Sequence, residues 1–278
     1  MIYRVSLDLT SKSEREAELH EGVSFAGVTI DGRTVEVSGI EAASADEART
    51  RAIPLAVKLL DMLCSMYDHC LALGKADPAA DSNDKVTSAL CEAEDGLKTM
   101  MIQSGTCVSI THRILSHDAS GREVDSWKPG VLPYVHMPAM AFFRMAMLTS
   151  SVFHKFQDFY LAIENAASRL HQGLLYGTLL QEALATVYDP KLGVLVAAAM
   201  NVNLVCTEAD AIERVKKCLW DDFRLGLFHA GKEPVTVVSD PRQEARVAQV
   251  IPLAQTVARD MIRAAADNAL EAAAKTRA

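Results

Sequence analysis

The chain opens on a period of two. Residues 2–9 alternate apolar and polar side chains, which predicts a strand with one buried face. Residues 23–30 repeat the pattern, and Asp31-Gly32 links them to a second β-rich run, 33–39. Two such runs around Asp-Gly predict a hairpin. The period then becomes helical. Ser44-Ala45-Asp46-Glu47 has the form of a capping box, with the serine hydroxyl accepting from the third backbone N–H and the glutamate reaching back. Ile53, Ala56, Leu59, Leu60, Leu63, Met66, Tyr67 and Cys70 follow at helical spacing. Pro54 predicts a kink or restart, and Gly74 a stop.

Residues 75–98 are polar and irregular and read as a loop, with a short helix around 86–94. Residues 99–117 predict one or two more strands. Residues 118–138, rich in Gly, Pro, Ser and Asp, predict a boundary between an N-terminal α+β domain (1–125) and a C-terminal helical domain (138–278). Beyond Pro138 the β signal nearly disappears. Phe142, Phe143, Ala146, Val152, Phe153, Phe156, Tyr160, Ile163, Ala167 and Leu170 predict one long amphipathic helix or two in series, closed by Gly173. A shorter helix is predicted over about 178–187, while 192–206 fits either helix or buried loop. Thr207-Glu208-Ala209-Asp210 resembles another capping box, and Ile212, Val215, Cys218, Leu219, Phe223 and Leu227 line one face of the helix after it. A short β-like piece, 234–238, precedes the last helix. Asp240 can cap that helix and Pro241 can take its first position. Its inward face is predicted to carry Ala245, Ala248, Val250, Ile251, Ala254, Val257, Ala258, Met261 and Ile262, with a kink at Pro252 and fraying after Asn268. The fold class is therefore α+β: a small N-terminal antiparallel sheet with a helix, followed by an α-helical bundle.

The chain's 278 residues can bury a substantial core, and half of them are hydrophobic. The net charge of −8 disfavours duplex nucleic-acid binding by bulk electrostatics. Residues 207–278 carry 11 acidic and 11 basic side chains, so the excess negative charge lies in residues 1–206. No apolar run reaches the roughly 18–20 residues of a membrane span, and the first residues have no signal-peptide pattern. Six cysteines without a CxxC read as reduced thiols, and the expected location is the cytoplasm.

Candidate chemistry centres on Arg224 and His229 in Phe223-Arg224-Leu225-Gly226-Leu227-Phe228-His229-Ala230-Gly231. A guanidinium can hold a phosphate bidentately, and an imidazole can move a proton near neutral pH. Five residues along an ideal helix rotate the two side chains about 140° apart. They converge only if the helix loosens near Gly226 or if a second copy completes the site. The alternative is an arginine in an ion pair with Asp221 or Asp222 and a histidine stabilising a helix C-terminus. Glu164 is either a core glutamate paired with a base or a partner of Arg224. Arg242, Arg246, Arg259 and Arg263 form either a phosphate-binding stripe, with Arg242 and Arg246 nearest the motif, or a solvated face. Cys64, His69 and Cys70 cannot share one helix face, and His112 and His117 point to opposite faces of a strand, so neither set predicts a metal. No cofactor motif occurs: GxGxxG, P-loop, GxSxG and HExxH are all missing from the sequence. A weaker candidate lies around His112, Trp127 and His136.

Residues 150–265 resemble a HEPN domain, a helical bundle marked by an Arg-x4–6-His motif. The resemblance rests on Arg224 and His229 and on Phe159-Tyr160-Leu161-Ala162-Ile163-Glu164-Asn165 in an earlier helix. The N-terminal hairpin and capped helix are similar in layout to HEPN-related proteins that include MauJ proteins, encoded with methylamine utilisation genes. The resemblance implies a homodimer through the C-terminal helices. It also implies RNA binding or metal-independent endoribonuclease activity, with His229 as acid/base and Arg224 stabilising phosphate charge. Catalytic HEPN sites carry a polar residue after the arginine, whereas here Leu225 and Gly226 follow. The alternative is a non-catalytic accessory protein with a protein partner and no enzymatic activity.

Overall fold

The computed structural model describes residues 2–11, 23–25, 28–31, 34–67, 70–73, 89–93, 107–110, 116–117, 123–124, 131–133, 136–172, 176–202, 207–224 and 240–277. Two compact units form: one from residues 1–60 and 69–134, the other from 61–68 and 135–278.

The first unit is built on an antiparallel sheet of seven strands, in keeping with the α+β class. The strands are β1 (Ile2–Asp8), β3 (Val23–Phe25), β4 (Val28–Asp31), β5 (Thr34–Glu41), β7 (Ala89–Ala93), β8 (Cys107–Ile110) and β11 (Val131–Pro133), in the order β11-β8-β3-β4-β5-β1-β7. Two further pairs stand apart: β2 (Thr10–Ser11) with β6 (Leu71–Ala72), and β9 (Ser116–His117) with β10 (Glu123–Val124). The predicted strand 23–30 is two strands, with Phe25 opposite Val28. The hairpin around Asp31-Gly32 is present, with Asp31 opposite Thr34. Period two sets the burial: Tyr3, Val5, Leu7, Val35 and Val37 point into the core. The β1–β5 register slips between Tyr3 and Val5. Gly39 lies at this slip with φ +75°, a conformation a side chain would resist.

Helix α1 (Ala45–Tyr67) starts where predicted. Ser44 Oγ accepts from the Glu47 N–H at 3.2 Å, and the Glu47 carboxylate accepts from the Ala43 N–H at 2.8 Å. The helix runs on through Pro54 without restarting, and it ends at Tyr67 rather than at Gly74. The chain then enters β6, where the buried run Cys70–Leu73 favours sheet pairing over another helical turn. Residues 89–93, placed by the sequence in a short helix, form strand β7 on the free side of β1. Pairing against an existing strand outweighs weak local helix preference. The Gly/Pro-rich stretch 118–138 holds β10 and β11.

The second unit is helical. The amphipathic stretch after Pro138 is two helices, α2 (Pro138–Leu148) and α3 (Val152–Leu170), and α3 ends before Gly173. Ser151 separates them and caps α3, its Oγ accepting from the His154 N–H at 3.4 Å. α4 (Tyr176–Thr186) follows. The ambiguous stretch resolves into α5 (Pro190–Met200), capped by Asp189 at its start and by Asn201 in the left-handed conformation at its end. Thr207 and Asp210 complete both halves of a capping box at α6 (Glu208–Lys216). α6 passes into a π-helical segment, Lys217–Arg224. The last helix, α7 (Pro241–Arg277), is continuous across Pro252 and keeps helical form past Asn268 almost to the end. Its N-terminal turns differ from expectation in that Ala245 and Ala248 are exposed and Val247 is buried, while Val250 is buried as expected. The bundle core is α3, with α2 and α7 packed along it. Phe143, Phe156, Phe159, Tyr160, Ile163, Val257 and Met261 are almost wholly buried there. Each such side chain contributes about 1.5–3 kcal/mol by leaving water. No described helix is long and apolar enough to cross a membrane.

Candidate functional site

Helix α3 sets the first side of the site. Its buried face carries Phe156, Tyr160 and Ile163, and Glu164 lies one turn beyond Tyr160 at the edge of that face. The opposite side comes from the π-helical segment. Cys218, Leu219 and Phe223 point into the core, which leaves Trp220 and Arg224 at its border. π-helical turns are rare and occur often at functional sites. The helix therefore loosens over Lys217–Arg224, up to the first residue of the Arg-x4-His motif, and Gly226 lies outside the described residues.

Aromatic contacts tie the two sides together. Phe156 lies 5.8 Å from Phe223 and 6.1 Å from Tyr160, and Tyr160 lies 6.2 Å from Trp220, all between ring centroids. The Arg224 guanidinium carbon sits 4.2 Å from the centre of a Trp220 ring. Its Nε is 3.5 Å from Glu164 Oε1, and both side chains are 19 % exposed. Arg224 thus lies between a π face and a carboxylate. The ion-pair partner seen here is Glu164, from another helix. Both contacts suit a guanidinium, which stacks on aromatic faces and pairs with carboxylates. They also leave little net charge for an incoming phosphate, which would meet the Glu164 carboxylate as well as the arginine.

His229 lies outside the described residues, so the distance between the two motif residues is not part of this geometry. Arg246, on α7, lies with its guanidinium carbon 5.7 Å from the Phe223 ring centre. With Asp222, Asn201 and Gln249 it lines a cavity of about 250 Å³. Arg242 is exposed in the first turn of α7, where its backbone N–H donates to Asp240 Oδ1 at 2.9 Å. The four arginines, read as a phosphate-binding stripe or a solvated face, divide into two pairs. Arg259 and Arg263 are turned about 60–140° from Arg242 and Arg246 around an ideal helix. Arg259 lies over the Phe143 ring, 5.5 Å from its centre, and Arg263 donates to the Met66 carbonyl at 3.0 Å.

A second polar group, elsewhere in the helical unit, was not assembled from the sequence. Asp61 Oδ1 accepts from Arg144 Nε at 2.6 Å, and His136 Nε2 lies 3.0 Å from Asp61 Oδ2. The Asp61 and Arg144 side chains are each 2 % exposed, and that of His136 is 18 % exposed. The signal was a lone arginine inside the apolar run Pro-Ala-Met-Ala-Phe-Phe-Arg-Met-Ala-Met-Leu, because a buried charge needs a partner. His112 and Trp127, the other members of the weaker candidate, lie outside the described residues. Among the described residues no group of three or more His, Cys, Asp or Glu side chains could hold a metal ion.

Residues 139–263 match the family model for methylamine utilization protein MauJ. The match runs from α2 into α7 and includes Glu164, Arg224, Arg242 and Arg246, so the helical unit is MauJ-like. No curated protein and no solved structure matches the chain.

Proposed function

We propose that the chain is an accessory protein whose helical unit is a HEPN-like, non-catalytic interaction module that pairs with a second copy through its C-terminal helices. The observation that carries this reading is the setting of Arg224. Glu164 offsets its charge and Trp220 covers one of its faces, so its work is to fasten the π-helical segment to α3. The apolar Leu225 after it, and the absence of excess positive charge in residues 207–278, agree with a role other than phosphate chemistry. A protein partner suits this surface better than RNA, although single-stranded RNA bound near Arg246 would use the same exposed guanidinium.

A second reading draws on the π-helical geometry that leads into the motif. In it the dimer is a metal-independent endoribonuclease, with His229 as acid/base and Arg224 stabilising charge on the phosphate. The test is incubation of the purified full chain with mixed single-stranded RNA in EDTA, beside His229→Ala. The accessory reading expects no cleavage by either protein. Cleavage by the wild type that disappears in His229→Ala would replace it with the nuclease reading.

A further inference from the structure

A cavity separate from the Arg224 group lies in the helical unit, between the start of α2, the end of α3 and the last turns of α7. Its volume is about 240 Å³. One wall is apolar and smooth: Ala265, Ala269 and Ala272 of α7, three and four residues apart, present methyl groups on one helix face. Four of the other lining residues are polar. Arg169 and Gln172 come from the end of α3, Asn268 from α7, and His136 from the residues before α2.

We propose that this cavity binds a small organic monocarboxylate. The carboxylate would lie against Arg169, the charged donor of the lining, with the Gln172 and Asn268 carboxamides able to donate beside it. The hydrocarbon part would lie along the alanine wall. Charge supports an anion. No carboxylate is among the lining residues; Asp61, which contacts His136, is itself buried 2.6 Å from Arg144, and Arg169 is the arginine of the lining. Asp61 also holds the His136 ring at 3.0 Å, which fixes one edge of the cavity before a ligand arrives. Size supports a short chain: a volume of about 240 Å³ has room for a few heavy atoms beyond a carboxylate. The assignment is independent of the role given to Arg224.

Titration calorimetry of the full chain with butyrate tests the assignment, with inorganic phosphate and 1-butanol as comparison probes. Two exposed positions supply variants that keep the fold: Arg169→Gln removes the charge, and Ala269→Trp fills the cavity. The expected result is saturable butyrate binding that falls about tenfold or more in Arg169→Gln, a loss of about 1.4 kcal/mol. Ala269→Trp should abolish it, and 1-butanol should bind at least about tenfold more weakly than butyrate. The assignment is overturned by no saturable binding of butyrate, by phosphate binding in its place, or by butyrate binding that neither variant weakens.

Discussion

Replacing Arg144 by methionine should be the most damaging single change to the helical unit. Arg144 is flanked by Phe143, Met145 and Ala146 on α2, and its guanidinium reaches Asp61 at 2.6 Å with both side chains almost fully buried. Methionine fills much the same space but leaves the Asp61 carboxylate in a low-dielectric setting without its strongest partner. Breaking a buried pair from one side costs about 3–5 kcal/mol. His136 keeps its contact to the other carboxylate oxygen, so the lower end, about 3 kcal/mol, is the expected loss. For a unit of this size that is a fall of about 6–12 °C in Tm. The assay is urea and thermal unfolding followed by circular dichroism, where the helical unit dominates the signal. A second variant sharpens it. Asp61→Leu combined with Arg144→Met removes both charges at once and should lie within about 1–2 kcal/mol of the wild type, because apolar replacement of a buried pair is often neutral or stabilising. The reasoning fails if Arg144→Met unfolds like the wild type. It fails equally if the double variant is no more stable than the single one.

Two further outcomes follow from titrating groups. Hydrogen bonds from the Thr207 hydroxyl and backbone N–H, with Arg214 nearby, hold the Asp210 carboxyl below the usual carboxylate range. The folded value lies under the unfolded one, so the stability it contributes is present at neutral pH and is lost as pH falls through the lowered value. The difference in Tm between wild type and Asp210→Asn should therefore be widest near neutrality and close in acid; a difference that stays constant with pH would refute this. Burial, and then the Asp222 carboxylate, push the Cys218 thiol up to about 12. At about pH 8 iodoacetamide should leave Cys218 unmodified in the folded chain and alkylate it in urea, read by peptide mass spectrometry. Equal labelling in both states would refute the burial that places Cys218 in the core.

The elements legible in the sequence were those with a local cause. Thr207 and Asp210 marked the start of α6 because a capping box satisfies orphan N–H groups within four residues. Asp240 and Pro241 marked α7 in the same way, and Ser44 with Glu47 marked α1. The strands with clear period two, β1 and β5, were also legible. What the sequence did not show is set by distant parts of the chain. Strand β7 exists because β1 offers it an unpaired edge, and no residue between 89 and 93 announces that. Pro54 and Pro252 sit in helices long enough to continue past the one hydrogen bond each removes. In the candidate site, Arg224 and Glu164 stood out by residue type, but their pairing depends on the packing of α3 against the π-helical segment. The stacking of Arg224 on Trp220 depends on the fold of that segment in the same way. Arg144 carried the clearest unread signal, since a charge in an apolar run demands a buried partner.

We read Arg224 as holding the bundle together through Glu164 rather than standing ready for a phosphate. A double-mutant cycle in urea with Glu164→Gln, Arg224→Met and the pair tests it most directly. The two side chains are partly exposed and 3.5 Å apart, so a favourable coupling of about 0.5–1.5 kcal/mol is expected. A coupling indistinguishable from zero would contradict the account and return Arg224 to the phosphate chemistry of the second reading.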